Sequence, residues 1–234
     1  MKKHLSVLML YVRSTIYKFL LLMLAMAVAQ SLLFMRAFLK ADGFFGLNTI
    51  MGAARPGITF AACFLLLCAL LCLTCCEFGS KQGYTLSRLR ISQRMVFLWQ
   101  AVANVGFVLL FWAAQIGIAL AFCSFYAAYY PQGQAAMLVF YSNSFLHGLL
   151  PLEDTGLLIR NIVWLAGLAV ASASFPVRMR RGEKPVAAIA DALLCVLFFV
   201  REINSTTVNV LLSMAIIAIS SYSVYGAHKE GADE

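Results

Sequence analysis

The sequence predicts an all-α, polytopic membrane protein with six transmembrane helices, and three observations carry that prediction. First, 62% of the 234 residues are hydrophobic and 12% are charged, against roughly 45–50% and about 25% in soluble domains. No water-exposed fold of this size could hide that excess. Second, the apolar residues run in blocks that approach or exceed the about 20 needed to cross a bilayer as a helix. Third, the basic residues fall on alternate connections between those blocks. The polar segments are too short to build a soluble domain, so residues 1–234 read as a single transmembrane domain.

The predicted spans are residues 17–38, 57–76, 95–126, 157–176, 186–200 and 206–225. Before the first, Lys2 and Lys3 lead into Leu5, Leu8, Met9, Val12 and Ile16 near helical spacing, which predicts an amphipathic elbow helix over 1–16, lying among lipid headgroups. The same stretch, with Ala25, Ala27 and Ala29, mimics a secretory signal peptide. Its long and itself apolar leader favours the uncleaved elbow. The third block is long, yet nothing between Gln100 and Tyr126 supplies a turn, so it reads as one tilted or protruding helix. The fifth is short and is expected to reach its partners through its flanks.

Residues 134–150 are apolar but only 17 in number, carry Asn143 and His147, and end at Pro151, which fits an extracellular re-entrant or interfacial segment better than a span. If this segment does not cross, residues 1–18, 77–94, 177–185 and 227–234 share one side and hold 13 of the 18 Lys and Arg residues. The positive-inside rule then puts both termini and the 77–95 loop in the cytoplasm of a multi-pass protein of the cell (plasma) membrane. The net charge of +8 follows from this topology and implies no nucleic-acid partner; no RNA-binding motif occurs.

No catalytic constellation and no metal site emerges. Cys63, Cys68, Cys72, Cys75 and Cys76 crowd the second span, and Cys72 to Cys75 is formally a CxxC, but without a nearby His or a second CxxC they read as small polarizable packing residues. His4, His147 and His228 are far apart, and Glu153 and Asp154, adjacent on a helix, would point in different directions. These acids suit the start of the fourth span, where negative charge favours a helix N-terminus. No GxxxxGK[ST] is present, so no nucleotide binds through a Walker loop. Asn204-Ser205-Thr206 forms a glycosylation triplet on the predicted outer side.

Two sets of polar residues lie within spans. Asp191 would be costly at the bilayer centre, about 2.5–3.5 kcal/mol or more; it either pairs with Arg178, Arg181 or Lys184 at the interface or belongs to a substrate or proton path. Gln30, Gln100, Asn104, Gln115, Asn161 and Asn209 either hydrogen-bond between helices or line a path.

Between the second and third spans stands "EFGSKQGYTLSRLRISQRM", residues 77–95. Gly79 and Gly83 bracket a turn, after which Thr85 or Ser87 can cap a short helix carrying Leu86 and Leu89 with Arg88 and Arg90 around them. A solvated basic loop has no need of Tyr84, Leu86, Leu89 and Ile91. An apolar ridge in a charged frame suits a pocket on a cytosolic protein, or alternatively a linker lying on headgroups.

The six spans, the elbow, the cytoplasmic termini and above all "GYTLSRLRISQRMVFLWQ" make the chain similar to the membrane (permease) subunits of type-2 ATP-binding-cassette (ABC) exporters. That resemblance implies a transporter whose 79–92 segment is a coupling helix, with Tyr84, Leu86, Arg88, Leu89, Arg90 and Ile91 docking into a separate cytosolic ABC ATPase. Arg178, Arg180, Arg181 and Lys184 would form a second cytoplasmic contact. The chain itself would be no enzyme and bind no cofactor; ATP and Mg would belong to the partner ATPase, and a second permease, identical or related, would complete the path through the lipid bilayer. Such permeases often carry their external re-entrant helices between the last two spans, whereas that loop here is only residues 201–205, and the comparable segment follows span three. A non-transporting membrane scaffold or sensor that recruits a cytosolic partner through the same loop is the alternative.

Overall fold

A computed structural model describes residues 2–40, 46–73, 92–129, 140–141, 143–151, 154–180, 186–200 and 206–229; among them no strand forms. The helices, in order, are α1 (Lys2–Lys40), α2 (Leu47–Ala54), α3 (Pro56–Leu73), α4 (Gln93–Tyr129), α5 (Ser144–Leu149), α6 (Thr155–Arg180), α7 (Val186–Val200) and α8 (Thr206–Lys229). Among the described residues, five stretches are long and apolar enough to cross a membrane: Ser6–Lys40, Pro56–Leu73, Arg94–Tyr129, Thr155–Met179 and Thr207–Tyr225. The chain is thus an all-helical, multi-pass membrane protein. Helix α7, the predicted fifth span, is apolar but has only 15 residues, about 22 Å at 1.5 Å per residue, and is not among the five.

Residues 2–40 contain neither Gly nor Pro, so nothing interrupts the hydrogen-bond ladder of α1. The predicted elbow over 1–16 is accordingly no separate helix; α1 runs through residue 16 without a break. One buried stripe serves its whole length: Val7, Tyr11, Thr15, Phe19, Met26, Gln30, Phe34 and Phe38 recur near every fourth position. Arg13, Lys18, Arg36 and Lys40 all lie on the exposed side.

Helix α2 has no counterpart among the predicted elements. It begins after Gly46 and ends at Arg55, which takes a left-handed conformation (φ 46°) and gives its backbone N–H to the Met51 carbonyl. Pro56 disfavours the right-handed helical region for the residue before it and then opens α3, where its missing N–H costs nothing. Arg55 therefore makes a sharp corner, at a cost of about 1–2 kcal/mol for a side chain in that region. Pro176, by contrast, does not end α6, which continues to Arg180.

Contacts fix the relative directions. Along α1 and α4, Tyr11 meets Asn104, Phe19 meets Phe107, Gln30 meets Gln115 and Phe34 stacks on Phe122, so the two helices are parallel. Helix α6 runs against α4, with Asn104 bonded to Ala169 and Ser172 and Ala101 clustered with Ala173. Helix α8 is parallel to α6, since Trp164 meets Ser213, Gly167 meets Ile216, and Arg178 meets Tyr222. Helix α5 packs on the C-terminal half of α4 through Leu146 and Leu149, in one cluster with Ala119, Phe122 and Cys123, and its Gly148 carbonyl accepts a bond from Asn161 in the second turn of α6. Helix α5 and the start of α6 therefore sit at the end of the bundle where α4 finishes.

Helix α6 occupies the centre. Its buried run contains Ala169, Ala171, Ser172, Ala173 and Ser174, small side chains that let neighbouring backbones approach where lipid supplies no hydrophobic drive between helices. Ser172 and Ser174 return their hydroxyls to the carbonyls three residues earlier, so neither is left unpaired.

Candidate functional site

Among the described residues, most of the hydrogen-bonded polar side chains between helices fall in three places. In the first, α1, α4 and α6 meet at Asn104. The Tyr11 hydroxyl donates to Asn104 Oδ1 at 2.6 Å, while Asn104 Nδ2 donates to Ser172 Oγ at 3.0 Å and to the Ala169 carbonyl at 3.3 Å. Fully buried, this amide uses both its oxygen and its nitrogen. Further along the same pair of helices, Gln30 and Gln115 exchange two bonds, at 2.8 and 3.1 Å. Each amide satisfies the other away from water.

The second place is the end of the bundle where α2 and α5 sit. Asn143 caps α5, its side-chain oxygen accepting from the Leu146 N–H, and its Nδ2 donates to Asn48 of α2. Asn161 ties α5 to α6 and in turn accepts from Nε and Nη2 of Arg160, at 3.3 and 3.0 Å. Beneath them lies an aromatic layer from α1 and α4, in which Phe34 stacks on Phe122 at 4.4 Å and Phe38 meets Phe125 and Tyr129 edge-on.

The third is the seam of α6, α7 and α8. Trp164 donates its indole N–H to Ser213 Oγ at 2.9 Å, and Ser213 donates to the Asn209 carbonyl. Gly167 lies so close to α8 that a Cβ there would stand 2.6 Å from Ile216 Cγ2 and 2.9 Å from Ser220 Oγ. Asp191 of α7 is 0% exposed, and neither carboxylate oxygen reaches a hydrogen-bond partner among the described residues; Ser220 is its polar neighbour. At the N-terminal ends of α6 and α8 the seam opens into a cavity of about 370 Å³, mostly apolar, with Asp154 and Arg160 at its polar end.

Of the residues singled out in the sequence, Gln30, Gln115, Asn104 and Asn161 are brought into interhelical bonds. Gln100 is buried, with no partner for its Nε2 among the described residues, and Asn209 lines the cavity. Arg178 turns to α8, lying 4.7 Å over the Tyr222 ring and donating to its carbonyl. Arg180 ends α6, while Arg181 and Lys184 lie outside the described residues. Tyr84, Leu86, Arg88, Leu89, Arg90 and Ile91, the expected docking ridge, also lie outside them. Cys68 and Cys72 are buried in apolar clusters, as packing residues would be.

Sequence reasoning missed Tyr11, Ser172, Trp164, Ser213 and Arg160. The signal for Tyr11 was its register with Thr15 and Phe19, one turn apart. For Trp164 it was the need of a buried indole N–H for an acceptor. Ser172 and Ser213 gave none, because a hydroxyl that can return its proton to its own helix is tolerated at many positions. No family model, curated protein or solved structure matches this chain.

Proposed function

We propose that the chain is a membrane-embedded transport subunit laid out like the permease subunits of type-2 ABC exporters, catalysing nothing itself and driven by a separate cytosolic ATPase that holds ATP and Mg. Two such subunits, identical or related, enclose the path, in the cell membrane and with both termini cytoplasmic. The observation that carries this reading is the packing of α5 and the start of α6 at the end of the bundle where α4 finishes, joined to the parallel course of α6 and α8. The parallel course of α6 and α8 supports a return along the bundle through α7. Six passes follow in this reading, and the start of α1, the start of α4 and the end of α6, the helix ends that flank 1–18, 77–95 and 177–185, share one end of the bundle. These are the segments richest in Lys and Arg, which favours the cytoplasm for that end, and it is the geometry that a coupling loop with a smaller second contact requires.

One observation favours a scaffold or sensor instead. Gln30, Gln115, Asn104 and Asn161 are all engaged in bonds inside the subunit, so they line no path within a single copy. Transport then needs a route between subunits, and a scaffold needs none. Co-purification separates the two. Replacing Leu86 and Leu89 together by Ser should weaken association with the ATPase or uncouple hydrolysis from transport, since each well-buried leucine contributes about 1.5–3 kcal/mol. A chain that brings down no ATPase fits the scaffold. A double variant that keeps its ATPase and transports at the parental rate refutes the coupling role of residues 79–92.

A further inference from the structure

We propose that the cleft between the N-terminal halves of α6 and α8 is a lipid site selective for phosphatidylethanolamine. It holds whether or not the chain transports anything. The cleft's volume of about 370 Å³ is within the about 300–1,000 Å³ of small-molecule sites. Its mostly apolar walls include Leu157, Val163, Val210, Met214 and Ile217, with Asn209 and Ser213 of α8 among them, and Val210, Met214 and Ile217 are half or more exposed on the outer surface of α8. The cleft is therefore open sideways, toward the membrane, and is shaped for an acyl chain.

Its polar end sets the headgroup. Arg160, only 8% exposed, is held by Asn161 Oδ1 and lies with its guanidinium 5.6 Å from the centre of the Trp164 ring. Asp154, exposed at the start of α6, is close enough for its charge to act on Arg160. Asp154 Oδ1 accepts the Gly156 and Leu157 N–H groups, and a carboxylate retains further lone pairs for an outside donor. The cleft thus ends in one charge of each sign. A purely anionic head would meet Asp154 as a like charge. A phosphoethanolamine head sets its phosphate toward Arg160 and its ammonium toward Asp154, and unlike choline it has N–H groups to give. Guanidinium is well matched to phosphate.

Trp164 reports on occupancy, because its neighbours Val163, Arg160 and Ser213 line the cleft. In a chain carrying Trp99→Phe and Trp112→Phe, Trp164 is the one remaining tryptophan. The protein is placed in phosphatidylcholine nanodiscs containing a minor fraction of phosphatidylethanolamine with brominated acyl chains, and in parallel discs with brominated phosphatidylglycerol. Quenching by the ethanolamine lipid should exceed quenching by the glycerol lipid as though its local concentration were roughly two- to fivefold higher, the factor one exposed ion pair supplies. Asp154→Asn, which keeps a side chain equally good at capping, should abolish the preference. Val210→Phe, at an exposed position that tolerates bulk, should reduce quenching by both lipids. Equal quenching by the two lipids, a preference for the anionic one, or no effect of Val210→Phe would each overturn the proposal.

Discussion

Tyr11 and Asn104 offer a direct test of how the N-terminal segment is held. If residues 1–16 lay on the headgroups as an elbow, Tyr11 could not reach a side chain on the packed face of α4. In the structure the phenol donates to Asn104 at 2.6 Å, and Asn104 passes the connection on to Ser172 and Ala169 of α6. Interhelical side-chain bonds in membranes average about 0.6 kcal/mol and reach about 1.7 kcal/mol. Asn104→Ala removes three of them and should cost about 2 kcal/mol. Tyr11→Phe removes only the hydroxyl, and because Asn104 Oδ1 then stays buried with a partner lost, about 1 kcal/mol is expected.

The discriminating quantity is the coupling between the two changes, measured by reversible unfolding of both single variants and the double variant in lipid–detergent micelles. A coupling of about 1 kcal/mol is expected, between the mean and the maximum for such bonds. Neither single value has the same power, since Asn104→Ala also opens a cavity and Tyr11→Phe also alters a ring that meets Phe107 at 6.5 Å. If the two changes add within about 0.3 kcal/mol, the limit for independent sites, the bond does not form. The stripe from Val7 to Phe19 then does not belong to the bundle.

Two further substitutions probe the α6–α7–α8 seam. Gly167→Ala would place a methyl 2.6 Å from Ile216 Cγ2; overpacking of about 1–3 kcal/mol should outweigh the helix propensity of about 1 kcal/mol that alanine gains. Gly117→Ala, which meets nothing within 4 Å, should be neutral or stabilising in the same unfolding assay, and a Gly167→Ala variant as stable as Gly117→Ala would show that the close approach does not exist. Asp191→Asn keeps the shape and removes a buried charge that has no hydrogen-bond partner among the described residues, so stability should hold or rise. A loss of about 3–5 kcal/mol, the cost of breaking a buried pair, would instead reveal a cationic partner.

The long helices were legible because their signal is bulk hydrophobicity, which needs no knowledge of neighbours: α3, α4 and α8 start or end within a few residues of the predicted spans. What failed was local. Nothing in composition announces α2, whose eight residues are set off by the N-cap Gly46 and by a proline acting one residue upstream, at Arg55. The elbow was inferred from Lys2 and Lys3 followed by Leu5, Leu8, Met9, Val12 and Ile16 near helical spacing, yet Arg13 and Lys18 sit on the exposed side while Val7, Tyr11 and Thr15 carry the packing. A basic residue every few positions is compatible with either arrangement, and only the absence of Gly and Pro pointed to the continuous helix. At the polar positions the residue types were readable and the partners were not. Gln30 and Gln115 are 85 residues apart, and no periodicity within one helix says which other helix its amide will meet.

Helix α7 brings these levels together. With 15 residues it is shorter than the about 30 Å hydrocarbon core, and its surface is divided: Val186, Ile189 and Leu193 are exposed, and Ala188, Asp191 and Ala192 are buried. The exposed residues fall on one stripe, at spacings of three and four, as on a helix with one face to lipid. The buried stripe is two alanines and an acid, so α7 approaches α3 and α6 closely, in one cluster with Cys72 and Ala171, and carries Asp191 into the seam beside Ser220. As the sixth pass of the proposed topology, α7 would be accommodated by local thinning of the bilayer or by its flanks, at fractions of a kcal/mol per Å. In the proposed topology α7 is the return between α6 and α8, whose parallel course is held by the Trp164–Ser213 bond, the close approach at Gly167 and the Arg178–Tyr222 stack.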